Sequence, residues 1–329
     1  MRFALACNRS THYQVGSDRP EDELEEFDSP ETVDAIAQAI ASFGHDVKIL
    51  EADKTFPEAL ARGRFEFVFN IAEGLSGRAR ESQVPAVCDM LGIPYTGSDA
   101  VTIGVTLDKD LAKRVLTGIV PVAKGKLFRN PDEIDLGDMT FPLFVKPNGE
   151  GSSKGIRNAS KIENHRGAKK RISELIDQYA GPVLVEEFLG GPECTIGVLG
   201  NENPRIIGIM EIRPKHVPIE SFVYSLETKR DYLNQVEYHA PPGFPKKTIV
   251  QIEKIVLNVF RALECRDFAR VDIRLDDSGN PKFLEINPLP GLAPIKSDIV
   301  ILSRLIGLEY RKLIGEILEH ALHRNGFSC

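Results

Sequence analysis

Two runs near the carboxyl end interleave charged and apolar residues, and that alternation limits what the chain can fold into. They read as neighbouring strands, Phe268 to Leu275 and Pro281 to Ile286. Side chains alternate across a strand, so Arg270 and Asp272 share one face of the first run, and Glu285 and Asn287 share one face at the end of the second. If the strands pair, two carboxylates and an amide oxygen converge beside an arginine, flanked by Phe268, Ile273, Phe283 and Leu284. Hard oxygen donors in that arrangement suit Mg²⁺ held together with substrate phosphates. The plainer alternative is a solvent-facing side of a hairpin with one salt bridge.

A second constraint is the loop Lys146-Pro147-Asn148-Gly149-Glu150-Gly151-Ser152-Ser153-Lys154-Gly155, placed directly after the apolar run Phe141 to Lys146. Its glycines and serines can bring backbone N–H groups and hydroxyls around phosphate oxygens. It matches neither GxxxxGK[ST] nor GxGxxG, and an ordinary flexible hairpin is the competing reading. The run Pro182 to Phe188 then ends in Glu186-Glu187-Phe188-Leu189, with Glu193 beyond. Such a strand end can offer backbone groups to an adenine edge and a carboxylate to ribose hydroxyls, although a solvated turn has the same composition. Lys109, Lys113 and Lys229 carry no signal individually.

The amino end follows a different pattern. Phe3 to Cys7, Val47 to Leu50 and Phe65 to Ile71 read as strands, Thr32 to Phe43 as a helix stopped by Gly44, and Val84 to Leu91 as another helix. Strand and helix in alternation predict a parallel α/β sheet. The acidic stretch Glu21 to Asp28 reads as a mobile surface segment. Beyond it come a helix at Asp108 to Leu116, a polar helix at Ile162 to Tyr179, strands at Thr195 to Leu199 and Arg205 to Arg213, a loop at 214–245, and helices at Ile249 to Leu263 and Tyr310 to Arg324. The fold class is therefore α/β and α+β, with expected domains at 1–97, 98–188 and 189–329.

A length of 329 residues accommodates two or three such domains. Lys+Arg 41 against Asp+Glu 48 leaves a net charge of −7, which excludes broad adhesion to nucleic acid or anionic membrane. The one compact basic run, Lys169-Lys170-Arg171, reads as a solvated helix face. Five scattered cysteines, Cys7, Cys88, Cys194, Cys265 and Cys329, with no CxxC pair, read as reduced thiols. With no signal-peptide core and no apolar run of spanning length, the expected location is the cytoplasm.

In order along the chain, Tyr95-Thr96-Gly97-Ser98, Asp108-Lys109, the Lys146 to Gly155 loop, Glu186 to Glu193, Arg270-Val271-Asp272 and Glu285-Ile286-Asn287-Pro288-Leu289-Pro290-Gly291 resemble the D-alanine–D-alanine ligase family of the ATP-grasp superfamily. The resemblance runs from about residue 90 to the end. It implies a three-domain ATP-grasp fold with an amino-terminal parallel α/β domain, acting as an ATP-dependent carboxylate–amine ligase. Such an enzyme forms a dipeptide through an acyl phosphate, as in peptidoglycan biosynthesis, from small amino-acid substrates and commonly as a homodimer. ATP and two Mg²⁺ ions, replaceable by Mn²⁺, are implied as cofactors. Lys109 and Lys146 would contact phosphates, with Ser152 and Ser153 on the closing loop. Glu186, Glu187 and Leu189 would frame adenine and Glu193 would meet ribose. Asp272, Glu285 and Asn287 would hold the metal, and Arg270, with Ser152 and Lys229, would act on the reacting groups.

The departures from the family pattern fall on the substrate side. The first turn is Asn8-Arg9-Ser10, and only Glu25, Glu26 or Glu31 are candidates to receive the first amino group, Glu26 being preferred. Asn70-Ile71-Ala72-Glu73-Gly74 and Arg78-Ala79-Arg80-Glu81 replace the family's histidine and glycine segments. Lys229-Arg230 stands where the family has Lys-Tyr. From Gly291 to Ser297 the spacing is one residue longer, leaving Ser297 as the candidate for the second carboxylate and Lys296 as its rival. Arg78, Arg80, Arg230 and Lys296 would suit an acidic substrate, unless they pair with Glu73, Glu81 and their neighbours. Three functions stay open: a D-alanine–D-alanine ligase, a ligase for another amino acid or peptide pair, and a non-catalytic nucleotide-binding homologue. In either ligase, 149–155 and 214–240 would behave as lids.

Overall fold

A computed structural model describes residues 1–14, 16 and 19–327, so Cys329 lies outside the described residues. Strands β1 (Arg2–Cys7), β2 (Asp46–Glu51) and β3 (Phe67–Asn70) form a parallel sheet in the order β2-β1-β3. The helix Pro30–Ala41 crosses between β1 and β2; Pro30 presets its first turn and the Ser29 hydroxyl accepts the Thr32 N–H at 3.3 Å. Alternation along β1 sends Phe3, Leu5 and Cys7 into a core shared with Val33, Ile36, Leu313 and Ile317, while Ala4 and Ala6 meet Leu60 and Cys88 on the other face. The closing helix Tyr310–Arg324 thus packs on the amino-terminal sheet and its helix Pro30–Ala41 as well as on Ile299 and Val300 just before it.

Strands β4 (Gly125–Phe128), β5 (Leu143–Pro147), β6 (Lys161–Ile162) and β7 (Val183–Glu187) form an antiparallel sheet in the order β4-β7-β5-β6. A third, antiparallel sheet runs β10-β9-β8-β11-β12, from β8 (Glu193–Leu199), β9 (Arg205–Pro214), β10 (Val236–His239), β11 (Phe268–Leu275) and β12 (Pro281–Asn287). Strand β11 is buried at every position. Its Val271 and Ile273 join Ile252 and Val256 of the helix Lys246–Ala262 in one core, which Leu116 of the helix Lys109–Leu116 also enters.

The anticipated strands appear within a few residues of their expected ends, and three features depart from expectation. The 214–245 segment is not one loop: it holds short helices at Leu226–Arg230 and Tyr232–Gln235 and strand β10. Helices at Phe56–Arg62, Ala100–Leu107 and Asp298–Leu305 were not foreseen. The stretch Glu21 to Asp28 lies only partly at the surface, because Asp22 and Glu26 are buried. Cys7, Cys88, Cys194 and Cys265 are buried free thiols. No helix among the described residues is long and apolar enough to cross a membrane.

One buried ion pair ties the closing helix to the junction after β3. Arg324 Nη2 lies 2.9 Å from Asp267 Oδ2, the atom that also accepts the Gly97 N–H at 2.7 Å. Losing the cation leaves a fully buried carboxylate, so Arg324→Met should destabilise the protein by about 3 kcal/mol in urea unfolding. An unchanged midpoint would remove Asp267–Arg324 as a strut.

Candidate functional site

A cleft opens between the two antiparallel sheets. Lys146, Ser153, Glu186, Glu187, Leu189, Glu193, Lys229, Asp272 and Glu285 all line it, as do Phe144, Phe188 and Tyr224. Residues spread over 140 positions of sequence are gathered because β5 and β7 deliver Phe144, Lys146, Glu186 and Glu187, and β8, β11 and β12 deliver Glu193, Asp272 and Glu285.

The acidic wall follows from strand register. Asp272 stands opposite Glu285 and Arg270 opposite Asn287, with a bulge after that pair that leaves Leu284 unpaired and facing the cleft. Arg270 Nη2 lies 2.8 Å from Asp272 Oδ2 and 3.5 Å from Glu285 Oε1, and its Nη1 lies 3.8 Å from Asp298 Oδ2. Thr195 donates to Asp272 at 2.7 Å, and Lys109 Nζ sits 3.6 Å from Glu285 Oε2. Burial pushes the Asp272 carboxyl up and Glu285 and Asp298 push it further, with Arg270 opposing them. Burial pushes Glu285 up as well, yet Lys109, Lys146 and Arg270 together pull it down to about 2. Glu193 is pushed up to about 7 by burial, although Arg274 lies 3.2 Å away.

This donor set fits a hard divalent cation. Two carboxylates stand in cross-strand register, and Asp272, raised by burial and then by Glu285 and Asp298, gains from added positive charge. Asn287 Oδ1 accepts the Leu289 N–H at 2.8 Å and keeps a lone pair for a ligand. Among the described residues no three His, Cys, Asp or Glu side chains converge as a metal site. The remaining ligands would therefore come from bound phosphate and water.

Opposite the acids lies a buried junction that sequence reasoning did not anticipate. Both oxygens of Glu186 are engaged, Oε1 by Lys113 and Oε2 by Lys146 at 2.9 Å. Glu186, expected beside adenine, is thus a partner of lysines here. Burial would raise its carboxyl, but Lys113 and Lys146 hold it below the usual range. Glu187 instead pairs with Lys282 at 2.8 Å. Lys113 follows Lys109 by one helical turn, and that i,i+4 spacing was the available signal.

The substrate-side expectations need more revision. Glu26 is not a free carboxylate: it accepts from Arg80 at 2.9 Å, from Lys154 at 3.3 Å and from the Gly151 N–H. Asp22 accepts the Gly155 N–H at 3.1 Å, the Tyr179 hydroxyl at 2.8 Å and Arg157 at 2.9 Å. The acidic stretch therefore grips the glycine-serine loop at its middle and at its carboxyl end. Arg78 pairs with Asp108 at 2.7 Å and Arg230 with Glu25 at 2.7 Å. The three arginines are thus neutralised, by Glu26, Asp108 and Glu25 and not through ion pairs with Glu73 or Glu81, and the case for an acidic substrate loses its support. Lys296 is exposed.

Ser152 is exposed with φ 46° and does not line the cleft, whereas Ser153 does and donates to the Tyr224 carbonyl at 3.3 Å. Lys229 Nζ lies 5.0 Å over the Tyr224 ring and 3.8 Å from Asp298. The Tyr224 hydroxyl donates to Asp298 at 2.9 Å; no sequence pattern marked either residue. Ser297 Oγ accepts the Ala293 N–H at 2.9 Å, beside Gly291, where a Cβ would stand 3.0 Å from that oxygen.

The Glu26 contacts make a pH prediction. Burial raises its carboxyl, but Arg80 and Lys154 outweigh that and set it below its ordinary 4.5. A depressed carboxylate stabilises the fold above its unfolded pKa, and the contribution is lost as pH falls through the native value. Glu26→Gln should cost about 3 kcal/mol in chemical unfolding at pH 7, the penalty of breaking a buried pair. That gap should shrink steadily below pH 4.5. A gap independent of pH would show that the charge of Glu26 is not what counts.

Residues 120–319 match the profile of the family described as D-ala D-ala ligase C-terminus. A protein of Sinorhizobium fredii, named y4sG and described as uncharacterized, is 33% identical over 341 residues, covering 99% of this chain and 98% of its own length. A D-alanine–D-alanine ligase of Aquifex aeolicus is 31% identical over 292 residues, covering 88% of this chain and 94% of its own length. Among solved structures, the D-alanine–D-alanine ligase of Bacillus anthracis complexed with ATP superposes with a TM-score of 0.76 at 20% identity, over 98% of both chains. The likeness thus extends into the amino-terminal third, ahead of the segments from residue 90 that first carried the resemblance, and the fold is ATP-grasp.

Proposed function

The chain belongs to the D-alanine–D-alanine ligase family, and from that premise we propose that it is an ATP-dependent carboxylate–amine ligase that joins two amino acids through an acyl phosphate. The observation that carries this reading is the meeting, in one cleft, of the Lys146–Glu186 junction with the Asp272–Glu285 pair, against which Arg270 is held. Basic and acidic walls facing each other are what a polyphosphate bound with its metal requires.

In this reading adenine lies against Phe188 and Leu189 and ribose hydroxyls meet Glu193. Lys109 and Lys146 hold the phosphates. Asp272, Glu285 and Asn287 would hold Mg²⁺, which when bound neutralises phosphate charge. The first substrate's carboxylate takes the γ-phosphoryl group, and the second substrate's amine then displaces phosphate. Arg270, buried between Asp272, Glu285 and Asp298, is fixed in place to stabilise charge that spreads over the transferring oxygens. Ser153 and Lys229, on segments joined through Tyr224, would close over the cleft and exclude water. We assign no role in chemistry to the exposed Ser152. The segments 1–97, 98–188 and 189–329 would act as the substrate, lid and metal-binding parts of a cytoplasmic homodimer.

Two observations favour an amino-acid or peptide pair other than two D-alanines as a second reading: Arg230 pairs with Glu25 where the family has tyrosine, and Glu26 is committed to the loop. The non-catalytic alternative has less support, since Lys146, Arg270, Asp272 and Glu285 are all present in the cleft or around it.

Phosphate release with ATP and Mg²⁺ should depend on an added amino acid, and mass spectrometry should find the dipeptide in equal amount. D-Alanine is tested first, then a panel. Arg270→Met should lower kcat by about 10²–10³ while nucleotide affinity changes little. ATP binding without phosphate release for every pair tried would favour the non-catalytic reading.

A further inference from the structure

The junction of Lys113, Glu186 and Lys146 carries an uneven charge. All three side chains are buried, at 7%, 2% and 4% exposure, and two ammonium groups share one carboxylate. Lys113 reaches Glu186 Oε1 from the helix Lys109–Leu116, and Lys146 reaches Oε2 from β5. Fully protonated, the junction holds a net +1 charge away from water, which is costly unless an anion arrives. Lys146 lines the cleft; Lys113 does not, and it touches the nucleotide side only through Glu186.

We propose that Lys113 is a positioning residue for Lys146, acting through Glu186, and that it takes up a proton from solvent when the polyphosphate of a nucleotide binds. The inference rests on the reading of the cleft as a nucleotide site. The groups acting on Lys113 are Glu186 on β7, in contact with it, Lys146 on β5 and, farther off, Glu285 on β12, whose carboxylate Lys109 and Arg270 already approach at 3.6 Å and 3.5 Å. Burial depresses Lys113 to about 8, and Lys146 adds to that, while Glu186 opposes it. Burial works against Lys146 too, but Glu186, Glu285 and Glu193 hold it above its usual range. The lysine that can lose its proton is thus the one behind the carboxylate. With Lys113 neutral, Glu186 and Lys146 form a balanced pair. With Lys113 charged, Glu186 is shared and Lys146 is freer to serve phosphate. Bound polyphosphate supplies the missing negative charge and favours the protonated state.

Calorimetric titration with MgADP, which cannot be turned over, tests this in two buffers of different ionisation enthalpy. At pH 8 to 9 the wild-type protein should take up a substantial fraction of a proton per nucleotide, and at pH 6.5 almost none. Lys113→Met should abolish the uptake and weaken binding about tenfold or more. Lys113→Arg, permanently charged, should keep much of the affinity yet show no uptake, a split that a packing role would not produce. Wild-type binding with no buffer dependence at pH 8 to 9 overturns the inference and leaves the nucleotide reading intact. No MgADP binding at all overturns both.

Discussion

The register between β11 and β12 is the constraint on which the site depends. Because Asp272 lies opposite Glu285 and Arg270 opposite Asn287, two carboxylates, an amide and a guanidinium occupy one side of a hairpin whose other side is core. A slip of one residue would turn Val271 and Ile286 into the cleft and bury the charges. The apolar residues between them prevent this, packing on the helix Lys246–Ala262, so the hydrophobic pattern that folds the sheet also sets the chemistry.

Charge is arranged on the same principle throughout the site. Acids and bases gather in groups: Asp272, Glu285 and Asp298 around Arg270, with Lys109 and Lys229 against the latter two acids, and Lys113 with Lys146 around Glu186. The lysine junction carries the local surplus, and Lys146 brings it to the cleft between the sheets. The anion of a metal-bound polyphosphate would offset that surplus, with its cation beside the Asp272–Glu285 pair. The amino-terminal side is different. Its arginines are balanced by Glu25, Glu26 and Asp108, and this network fastens the glycine-serine loop and the 226–230 helix to the stretch that precedes the first long helix.

What the sequence disclosed follows from how each interaction is encoded. Alternation over 268–275 and 281–287 is local, so the shared faces of Arg270 with Asp272 and of Glu285 with Asn287 are legible in the sequence, whereas the register that sets Asp272 opposite Glu285 is a tertiary feature. The amino-terminal parallel sheet was legible for the same reason. Long-range ion pairs leave no local trace. Nothing around Asp22 or Glu26 announced that they would bind Gly155 and Gly151, more than 120 residues away, and a run of acids reads as surface. The resemblance to a family supplied roles for Glu186 and Ser152 by position, but it could not register that Glu186 is occupied by two lysines or that Ser152 points to solvent.

A crystal structure of the chain with ATP and Mn²⁺ tests the account most directly, because manganese scatters anomalously and marks its own position. An anomalous peak is expected within coordination distance of Asp272 and Glu285, with phosphate density between it and Lys146. A nucleotide bound elsewhere, or a peak away from the β11–β12 hairpin, would contradict it.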